Sequence, residues 1–536
     1  MSFVDRVLYN GNIFTHDERQ VHVTALAIGD GRILATGADE EMLALAGAGT
    51  KRENLEGRDV LPGLTDAHIH WQHTALSLRS VDVYEVSSRE EALRRVAERA
   101  AVTTAGEWLL GDGWRQDVWE DRAFPTAAEL DAVAPVHPAL LTDKSGHAAW
   151  VNSAALRIAG LDASSEDPPG GSLQRDENGA LTGVLFETAI ELVGRHIPIL
   201  SDEDIADAMF AAQQKALAVG LTGIHCFDGP PSLRALQILR ERGQLSLRVC
   251  KMVKTEFIAG ALEVGLRQGF GDDWLWLGAQ KIFADGALGP RTAYMMEAYE
   301  GEPDNFGIRI MDAEEMAEKV IRASAAGFAS AIHAIGDRAV HEVLNVFEAA
   351  RKEEAAAGIP REGRRHRIEH LSLVHPPDIP RVAEIGVIAS VQPIFAPSDY
   401  PLADRYWGER SQYAYDTRTQ LDLGARVAYG TDSPVEPMEP FINIHAAVTR
   451  QRVDGSPGPE GWYPAAKLTL AEAIAGYTQG PAYAAGKEHC QGQLRAGYHA
   501  DLIVLDRAIH ALPPAELHKT QILATMLGGE WCHGPF

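Results

Sequence analysis

Two histidines one residue apart, His68 and His70, close an apolar segment and are the first candidates for chemistry in this sequence. Side chains two positions apart on a β-strand point to the same face, so both imidazoles could reach one metal ion. The pair alone is a weak signal, because two unrelated surface histidines would look the same. Its interpretation as a metal site depends on further ligands elsewhere in the chain.

Further donors lie near the ends of later apolar segments: His333 in SAIHAIGD, His370 in RIEHLS and Asp432 in VAYGTDSP. A single histidine in such a segment is more often hydrogen-bonded in the core than a ligand, but two of them after an HxH pair favour ligands. A buried carboxylate is costly unless it meets a metal or a strong donor. The alternative for Asp432 is the N-cap of the next helix.

Lys281, in AQKIFADG, is the least expected residue of its segment. An ammonium group among apolar strand neighbours is unfavourable unless it is neutralised or paired. A buried lysine can have a lowered pKa and act as a nucleophile, and such an amine can capture carbon dioxide as a carbamate, an anionic oxygen ligand. The alternatives are an ion pair with Asp285 or a lysine whose charge reaches the surface.

The segments that carry these residues alternate with amphipathic ones such as 201–220, 313–327 and 337–358, a pattern that predicts a (β/α)8 barrel. In such a barrel the carboxyl ends of the strands meet on one face, so the candidate ligands should converge there. Histidine nitrogens with a carboxylate suit zinc and also accept manganese, iron or nickel. The predicted strands are 60–70, 221–228, 247–253, 279–286, 329–337, 366–372, 387–393 and 426–434.

The remaining sequence predicts two additions to the barrel, which itself covers 59–486. Residues 71–220 are too many for one strand–helix unit, so we expect an insertion after the first barrel strand that covers the active site as a roof. Short strands separated by glycine turns at both ends, 1–58 and 487–536, predict one small β domain built from the two termini. Contacts between copies of the chain through that domain, in a homo-oligomer, would be compatible with an enzyme.

Composition excludes several other classes of protein. The 536 residues carry a net charge of −26, which disfavours a nucleic-acid surface, and 46% of them are hydrophobic, which disfavours disorder. We find no uncharged stretch long enough to span a membrane and no secretory signal at the start, so neither a membrane partner nor export is expected. Four scattered cysteines without CxxC spacing indicate a reducing cytoplasm.

Seven motifs in order make the chain resemble the metal-dependent amidohydrolase superfamily, and more narrowly its YtcJ-like branch, which includes N-substituted formamide deformylase. The resemblance covers essentially the whole chain, and none of the motifs names a substrate. The motifs are LPGLTDAHIH (61–70), SGHAAWVNSAAL (145–156), KIFADGALGPRTA (281–293), IHAIGDRAV (332–340), RIEH (367–370), YGTDSPVEP (429–437) and GQLRAGYHADLIVLD (492–506).

The resemblance implies an α/β fold, a TIM-type metallo-barrel joined to a small β-sandwich made from both termini. It implies that His68 and His70 hold one divalent metal, most simply zinc, together with Asp432, and that His333 and His370 hold a second. Lys281 would be the carboxylated lysine that bridges the two ions.

The implied reaction is hydrolysis of a C–N bond, of amide or formamide type and not peptide, in a small-molecule substrate. A metal-activated hydroxide attacks the carbon, while Asp432 takes the proton of the water and passes it to the leaving nitrogen. His147 and Trp114 are weaker candidates for the substrate pocket, with packing of the insertion as the alternative. Glu187 is a further weak candidate that could approach the metals.

The sequence leaves three other functions open for these residues. A mononuclear aminohydrolase (a deaminase) would use HxH, one more histidine and an aspartate, but Lys281 has no place in that scheme. An ester or lactam hydrolase could use the same residues. A binding protein that had lost catalysis should have lost ligands, whereas here all six candidate positions are filled.

Overall fold

The computed structural model describes residues 3–84, 86–116, 119–143 and 147–534. The chain forms two compact units. The first comprises Met1–Trp71 and Phe210–Phe536, and the second is Gln72–Met209. In the described residues we find no helix with the length and apolar character that a membrane span requires.

The elements are numbered here in chain order. The strands are β1 (Arg6–Tyr9), β2 (Asn12–Phe14), β3 (His22–Val23), β4 (Ala25–Gly29), β5 (Arg32–Gly37), β6 (Lys51–Asn54), β7 (Asp59–Pro62), β8 (Leu64–Ile69), β9 (Val81–Asp82), β10 (Leu109–Trp114), β11 (Ala139–Asp143), β12 (Ala148–Val151), β13 (Gly171–Arg175), β14 (Leu181–Glu187), β15 (Leu221–Cys226), β16 (Arg248–Lys254), β17 (Leu275–Phe283), β18 (Ser330–Ala334), β19 (Arg367–His370), β20 (Ile388–Val391), β21 (Arg426–Tyr429), β22 (Leu502–Leu505), β23 (Ile522–Leu527) and β24 (Glu530–His533). The helices are α1 (Asp39–Leu43), α2 (Trp71–Ser77), α3 (Arg89–Val102), α4 (Ala127–Val133), α5 (Ser153–Ile158), α6 (Ile190–Gly194), α7 (Asp202–Ala218), α8 (Pro230–Glu241), α9 (Thr255–Glu263), α10 (Ala313–Ala325), α11 (Asp337–Ala356), α12 (Arg381–Ile385), α13 (Phe395–Tyr406), α14 (Thr417–Asp422), α15 (Pro440–Thr449), α16 (Leu470–Tyr477) and α17 (Gln479–Ala484).

The centre of the first unit is an eight-stranded parallel sheet in the order β21-β20-β19-β18-β17-β16-β15-β8. Strands such as β15, β19 and β20 are buried along their whole length, as expected for strands covered on both faces. The two end strands meet beyond their carboxyl ends, where Asp432 N–H donates to His68 O at 2.7 Å and His70 N–H donates to Ser433 O at 3.0 Å. The predicted (β/α)8 barrel is therefore confirmed, and each of the eight predicted segments overlaps one barrel strand.

Helices pack on this sheet through apolar faces. In α11, Val340, Val343, Leu344 and Phe347 are buried and recur at helical spacing, so this face lies in the core while the opposite face is solvated. The helices predicted over 201–220, 313–327 and 337–358 are α7, α10 and α11.

The first predicted barrel segment, 60–70, is divided in the structure. Strand β7 joins a sheet of the terminal β domain, and β8 enters the barrel. The break is at Gly63, where an added Cβ would lie 2.3 Å from Thr222 Oγ1. Only glycine fits this close approach, at the position where the chain passes from one sheet to the other.

Both termini build a β-sandwich in the same compact unit. One sheet has the order β5-β4-β1-β6 and the other β24-β23-β22-β7-β2-β3. Leu8 and Ile28 from the first sheet share one buried core with Val60, Leu502 and Met526 from the second. The sandwich implied by the family resemblance is thus present beside the barrel.

The second unit has its own sheet, in the order β13-β14-β12-β11-β10-β9. Its core includes Trp114, Trp119 and Trp150, all buried. The unit begins one residue later and ends earlier than the predicted insertion 71–220, because α7 is divided between the two units. Its role as a roof stays a prediction.

Candidate metal centre

His68, near the carboxyl end of β8, is buried and held from one side. Its Nδ1 donates to Glu369 Oε2 at 2.6 Å, and its ring stacks on Phe227 with centroids 3.9 Å apart. Because Nδ1 carries the donated proton, the lone pair is on Nε2, which lies 3.5 Å from Asp432 Oδ1. An imidazole fixed in this way presents Nε2 as a ligand.

His370 is the last residue of β19, His333 is the last but one of the neighbouring β18, and both are oriented by similar bonds. His370 Nδ1 donates to Gln392 Oε1 at 2.8 Å, which leaves Nε2 as the acceptor, and His333 Nε2 donates to Gly286 O at 2.9 Å, which leaves Nδ1. The ring of His370 lies 4.5 Å from that of His333 and 4.9 Å from that of His68. Three imidazoles therefore converge at the carboxyl ends of the strands.

The three rings are neutral in this environment. Burial lowers the pKa of His68 and His370 well below the usual histidine value. Burial, followed by the nearby Lys281 charge, lowers the pKa of His333 to about 3. Neutral imidazole is the form that coordinates a metal.

Asp432 supplies the carboxylate of this group. Its buried Oδ1 has no hydrogen-bond partner among the described residues. Asp432, His68 and His370 each offer a ligand atom within 4.8 Å of the others. Both Asp432 and His370 have left-handed backbones, with φ of 58° and 72°, a strained conformation that is typical of functional sites. A buried carboxylate oxygen facing oriented imidazoles fits a divalent cation.

His70 lies at the more open side, where its side chain is 25% exposed. Its Nε2 is 3.3 Å from Asp432 Oδ1 and its Nδ1 is 3.4 Å from Asp228 Oδ1. Burial alone would lower the pKa of His70, but the nearby Asp228 and Asp432 carboxylates outweigh it and raise that pKa to about 9. His70 is therefore next to the same carboxylate as His68, with Asp228 as a second acidic neighbour.

Lys281 is buried on β17, with its ammonium 5.0 Å from the ring centroid of Phe227 and 4.5 Å from that of Phe283. Within the described residues it forms no ion pair with Asp285, whose carboxylate instead accepts N–H bonds from Tyr294, Ile335 and Gly336. Burial lowers the pKa of Lys281 to about 8, against the opposing effect of Glu369 and Asp432. The lysine thus adjoins the histidine group without a direct counter-ion.

Comparison with known proteins decides the family. The sequence model described as the amidohydrolase family matches residues 52–533. The chain belongs to the amidohydrolase family. YtcJ of Bacillus subtilis (strain 168), a protein named as an amidohydrolase, is 32% identical over 532 residues, which cover 98% of both chains. N-substituted formamide deformylase of Arthrobacter pascens is 28% identical over 544 residues, 98% of this chain and 97% of the relative.

A solved structure agrees with this assignment. The crystal structure of an uncharacterized metal-dependent hydrolase from Pyrococcus furiosus is 31% identical to this amidohydrolase and has a TM-score of 0.77. The match covers 94% of this chain and 99% of the other. Membership of this family of metal-dependent hydrolases implies a divalent metal, and the predicted resemblance is confirmed.

Four residues of the site were not predicted from the sequence of the amidohydrolase. Glu369 orients His68, Arg367 holds Glu369 through two hydrogen bonds, Gln392 orients His370, and Asp228 contacts His70. Two of them carried a usable signal, because Arg367 and Glu369 are charged residues inside a predicted barrel strand, and charged residues are rarely fully buried unless paired. Gln392 and Asp228 follow strands as ordinary turn residues do, and nothing in the sequence distinguishes them.

The weaker candidates of the amidohydrolase all lie in the unit Gln72–Met209. Trp114 is fully buried in that unit's core, where its Nε1 donates to Leu141 O at 2.8 Å. His147 is 69% exposed and its Nδ1 lies 3.0 Å from Glu187. Two residues of the surrounding motif, Ser145 and Gly146, lie outside the described residues, and the substrate roles of all three candidates stay predictions.

Proposed function

We propose that this amidohydrolase hydrolyses the C–N bond of a small non-peptide amide, formamides included. The observation that carries the proposal is the buried Oδ1 of Asp432. In the part of the chain that the structure describes, this oxygen has no hydrogen-bond partner, and it lies beside imidazoles whose other nitrogens are hydrogen-bonded. The name of the deformylase from Arthrobacter pascens supports the amide class.

The chain's own residues would hold two zinc ions. His68, His70 and Asp432 would bind the first, with loss of the His70 proton to the incoming cation, and His333 with His370 would bind the second. Bound there, divalent ions polarise a substrate carbonyl and lower the pKa of a water molecule.

Asp432 would act as the proton carrier of the reaction. Its Oδ1 lies at the meeting point of His68 and His70, where a carboxylate can accept the proton of the attacking water. As the C–N bond breaks, Asp432 returns that proton to the leaving nitrogen, so the products are a carboxylic acid and an amine. Asp432 then has the same protonation state as before.

Lys281 would serve as a carbamate that bridges the ions. Its neutral amine adds to carbon dioxide, one proton leaves, and the ammonium charge is replaced by a negative one that offers two oxygens. Two dications with Asp432 as the single carboxylate among the proposed ligands would leave a strongly positive site, so this exchange moves it toward neutrality. Burial favours the neutral amine that the addition needs.

A hydrolysis screen of the metal-loaded protein tests the reaction class. We expect amine release from N-formyl and N-acyl amines, with little turnover of esters, cyclic amides or amino-heterocycles. Turnover of esters or lactams alone would assign the site to those substrates. Ammonia release from amino-heterocycles alone would assign it to a deaminase.

The Lys281→Ala variant tests the bridge. We expect bound metal to fall from two ions to one or fewer, with partial rescue by a small carboxylic acid added with the metal. Native mass spectrometry of the wild type should show one additional carbon dioxide. A Lys281→Ala protein with two metals and normal turnover would remove the bridge from the proposal.

A further inference from the structure

An apolar pocket of about 300 Å³ lies between the strands β16 and β17 and the helices α8 and α9. Leu233, Met252, Val253 and Leu277 line it from α8 and the two strands. A cavity of about 150 Å³ lined by apolar side chains is enough to hold benzene. The pocket therefore has room for a chain of several carbons or an aromatic ring.

One face of α9 and its C-cap completes the lining. Phe257, Gly260, Ala261 and Val264 recur at positions i, i+3, i+4 and i+7, so they share one side of the helix. On another side of this helix Ile258 is buried in the core, whereas Phe257 and Val264 are 50% and 73% exposed. Two exposed apolar side chains therefore border the pocket.

The rim of this pocket adjoins the candidate metal centre at two points. Asp228 lines the pocket, and its Oδ1 lies 3.4 Å from His70 Nδ1. Lys254 also lines the pocket and is paired in register with Lys281 on the next strand, about 4.8 Å away in a parallel sheet. These two residues place part of the pocket lining beside the residues of the candidate metal centre.

We infer that the pocket receives an apolar substituent, an alkyl chain or aryl ring, of the substrate that is hydrolysed at the metal centre. The inference rests on the proposed function and names the substrate class: amides with a hydrophobic group of roughly four to eight carbons. A small cavity with an apolar lining and a few polar residues at its rim is the usual form of a ligand site.

A series of N-alkyl formamides with methyl, butyl and hexyl groups tests this assignment on the metal-loaded enzyme. Each buried methylene should raise kcat/KM by about fourfold, because the free energy of transfer from water scales with the apolar area removed. The same series with the alkyl chain on the acyl carbon shows which side of the amide enters the pocket. A flat profile in both series would overturn the inference.

A pocket-filling substitution sharpens the test. An added Cβ at Gly260 meets nothing within 4 Å, so Gly260→Leu should fold and place an isobutyl group in the pocket. We expect Gly260→Leu to reduce kcat/KM by about tenfold or more for the hexyl substrate and by less than about twofold for the methyl substrate. Ala261→Leu is a second filling variant, and Ala259→Leu, an exposed position of α9 that does not line the pocket, is the matched control.

Binding of hexan-1-ol separates this inference from the proposed reaction, because it needs no turnover. Calorimetry should detect binding to the wild type and to Ala259→Leu, and loss of binding in Gly260→Leu. If the enzyme hydrolyses small formamides but Gly260→Leu binds hexan-1-ol normally, the pocket assignment fails alone. If the protein is a dimer that Gly260→Leu dissociates, the pocket belongs to a second copy and the inference is wrong.

Discussion

Two hydrogen bonds between a histidine and a glutamate, one in each compact unit, have the same chemistry in different surroundings. In the barrel, His68 and Glu369 are 1% and 0% exposed and lie 2.6 Å apart. In the inserted unit, His147 and Glu187 are 69% and 54% exposed and lie 3.0 Å apart. The surroundings give the two histidines opposite properties.

Burial lowers the pKa of His68 well below its usual value, whereas the hydrogen bond that His147 donates to Glu187 raises the pKa of His147. In the barrel the charge of Glu369 is already balanced by Arg367, so this glutamate orients the imidazole without protonating it. In the exposed pair the carboxylate favours the protonated ring. The same pair of residues therefore prepares a ligand in one place and a surface ion pair in the other.

Metal removal should have the largest effect, and it should change the barrel site without changing the exposed pair of His147 and Glu187. We expect chelation to abolish hydrolysis and a divalent ion to restore it. Without a cation, neutral imidazoles and the Asp432 carboxylate cannot polarise a substrate carbonyl. The titration of His147 should not change. Full turnover by protein shown to be metal-free would contradict the assignment of the barrel site.

Asp432→Asn should have the next largest effect. A positioned proton carrier contributes about 10²–10⁴-fold to kcat, and a ligand role for Asp432 would add to that loss. Steady-state kinetics with metal content measured in parallel checks this, with the exposed Asp304→Asn as the control. Near-normal kcat with metal bound would show that another group carries the proton.

Glu369→Gln removes the carboxylate of the buried pair, His68 and Glu369. We expect metal affinity to fall by about 10–100-fold, the usual effect of losing the group that orients a ligand histidine. The exposed Glu353→Gln, on α11, should leave affinity unchanged. Metal titration with a competing chelator is the measurement.

Removing Glu369 also leaves the buried Arg367 without its carboxylate, which can destabilise the fold. For that reason Gln392→Met, which removes the acceptor of His370 Nδ1 and leaves that ion pair intact, is the second variant. Unchanged metal affinity in both folded variants would show that the orienting bonds are incidental.

The fold was predictable because its signals are local. Barrel strands such as β15 and β20 lie in short apolar segments, and helices such as α11 repeat their apolar residues at helical spacing, so the alternation reveals the barrel. The exchange between β7 and β8 at Gly63 was not predictable, since it depends on a close approach to Thr222 from a distant part of the chain.

The candidate ligands were predictable for the same reason, since each is a polar residue at the end of an apolar segment. Their partners were not: Glu369 meets His68 across 301 residues of sequence. The expected alternative for Lys281, an ion pair with Asp285, failed because that carboxylate binds the backbone of the following loops. Sequence spacing gives the strand end on which a side chain lies, but not which neighbour it contacts.

The smallest expected effect is a change in the pKa of His147, in the exposed pair that it forms with Glu187. Glu187→Gln should lower the pKa of His147 back toward its ordinary value of 6.5, because the hydrogen bond to the carboxylate is the main cause of its rise. A pKa raised in the folded state means that the pair stabilises the fold below pH 6.5 and that this contribution is lost as the pH rises through the raised value. Salt should weaken the effect, because the pair is exposed to solvent and screened.

NMR titration of the His147 ring in the wild type and in Glu187→Gln measures the difference, with the exposed Glu177→Gln as the control. A His147 pKa that is the same in both proteins would show that Glu187 does not hold the ring in solution.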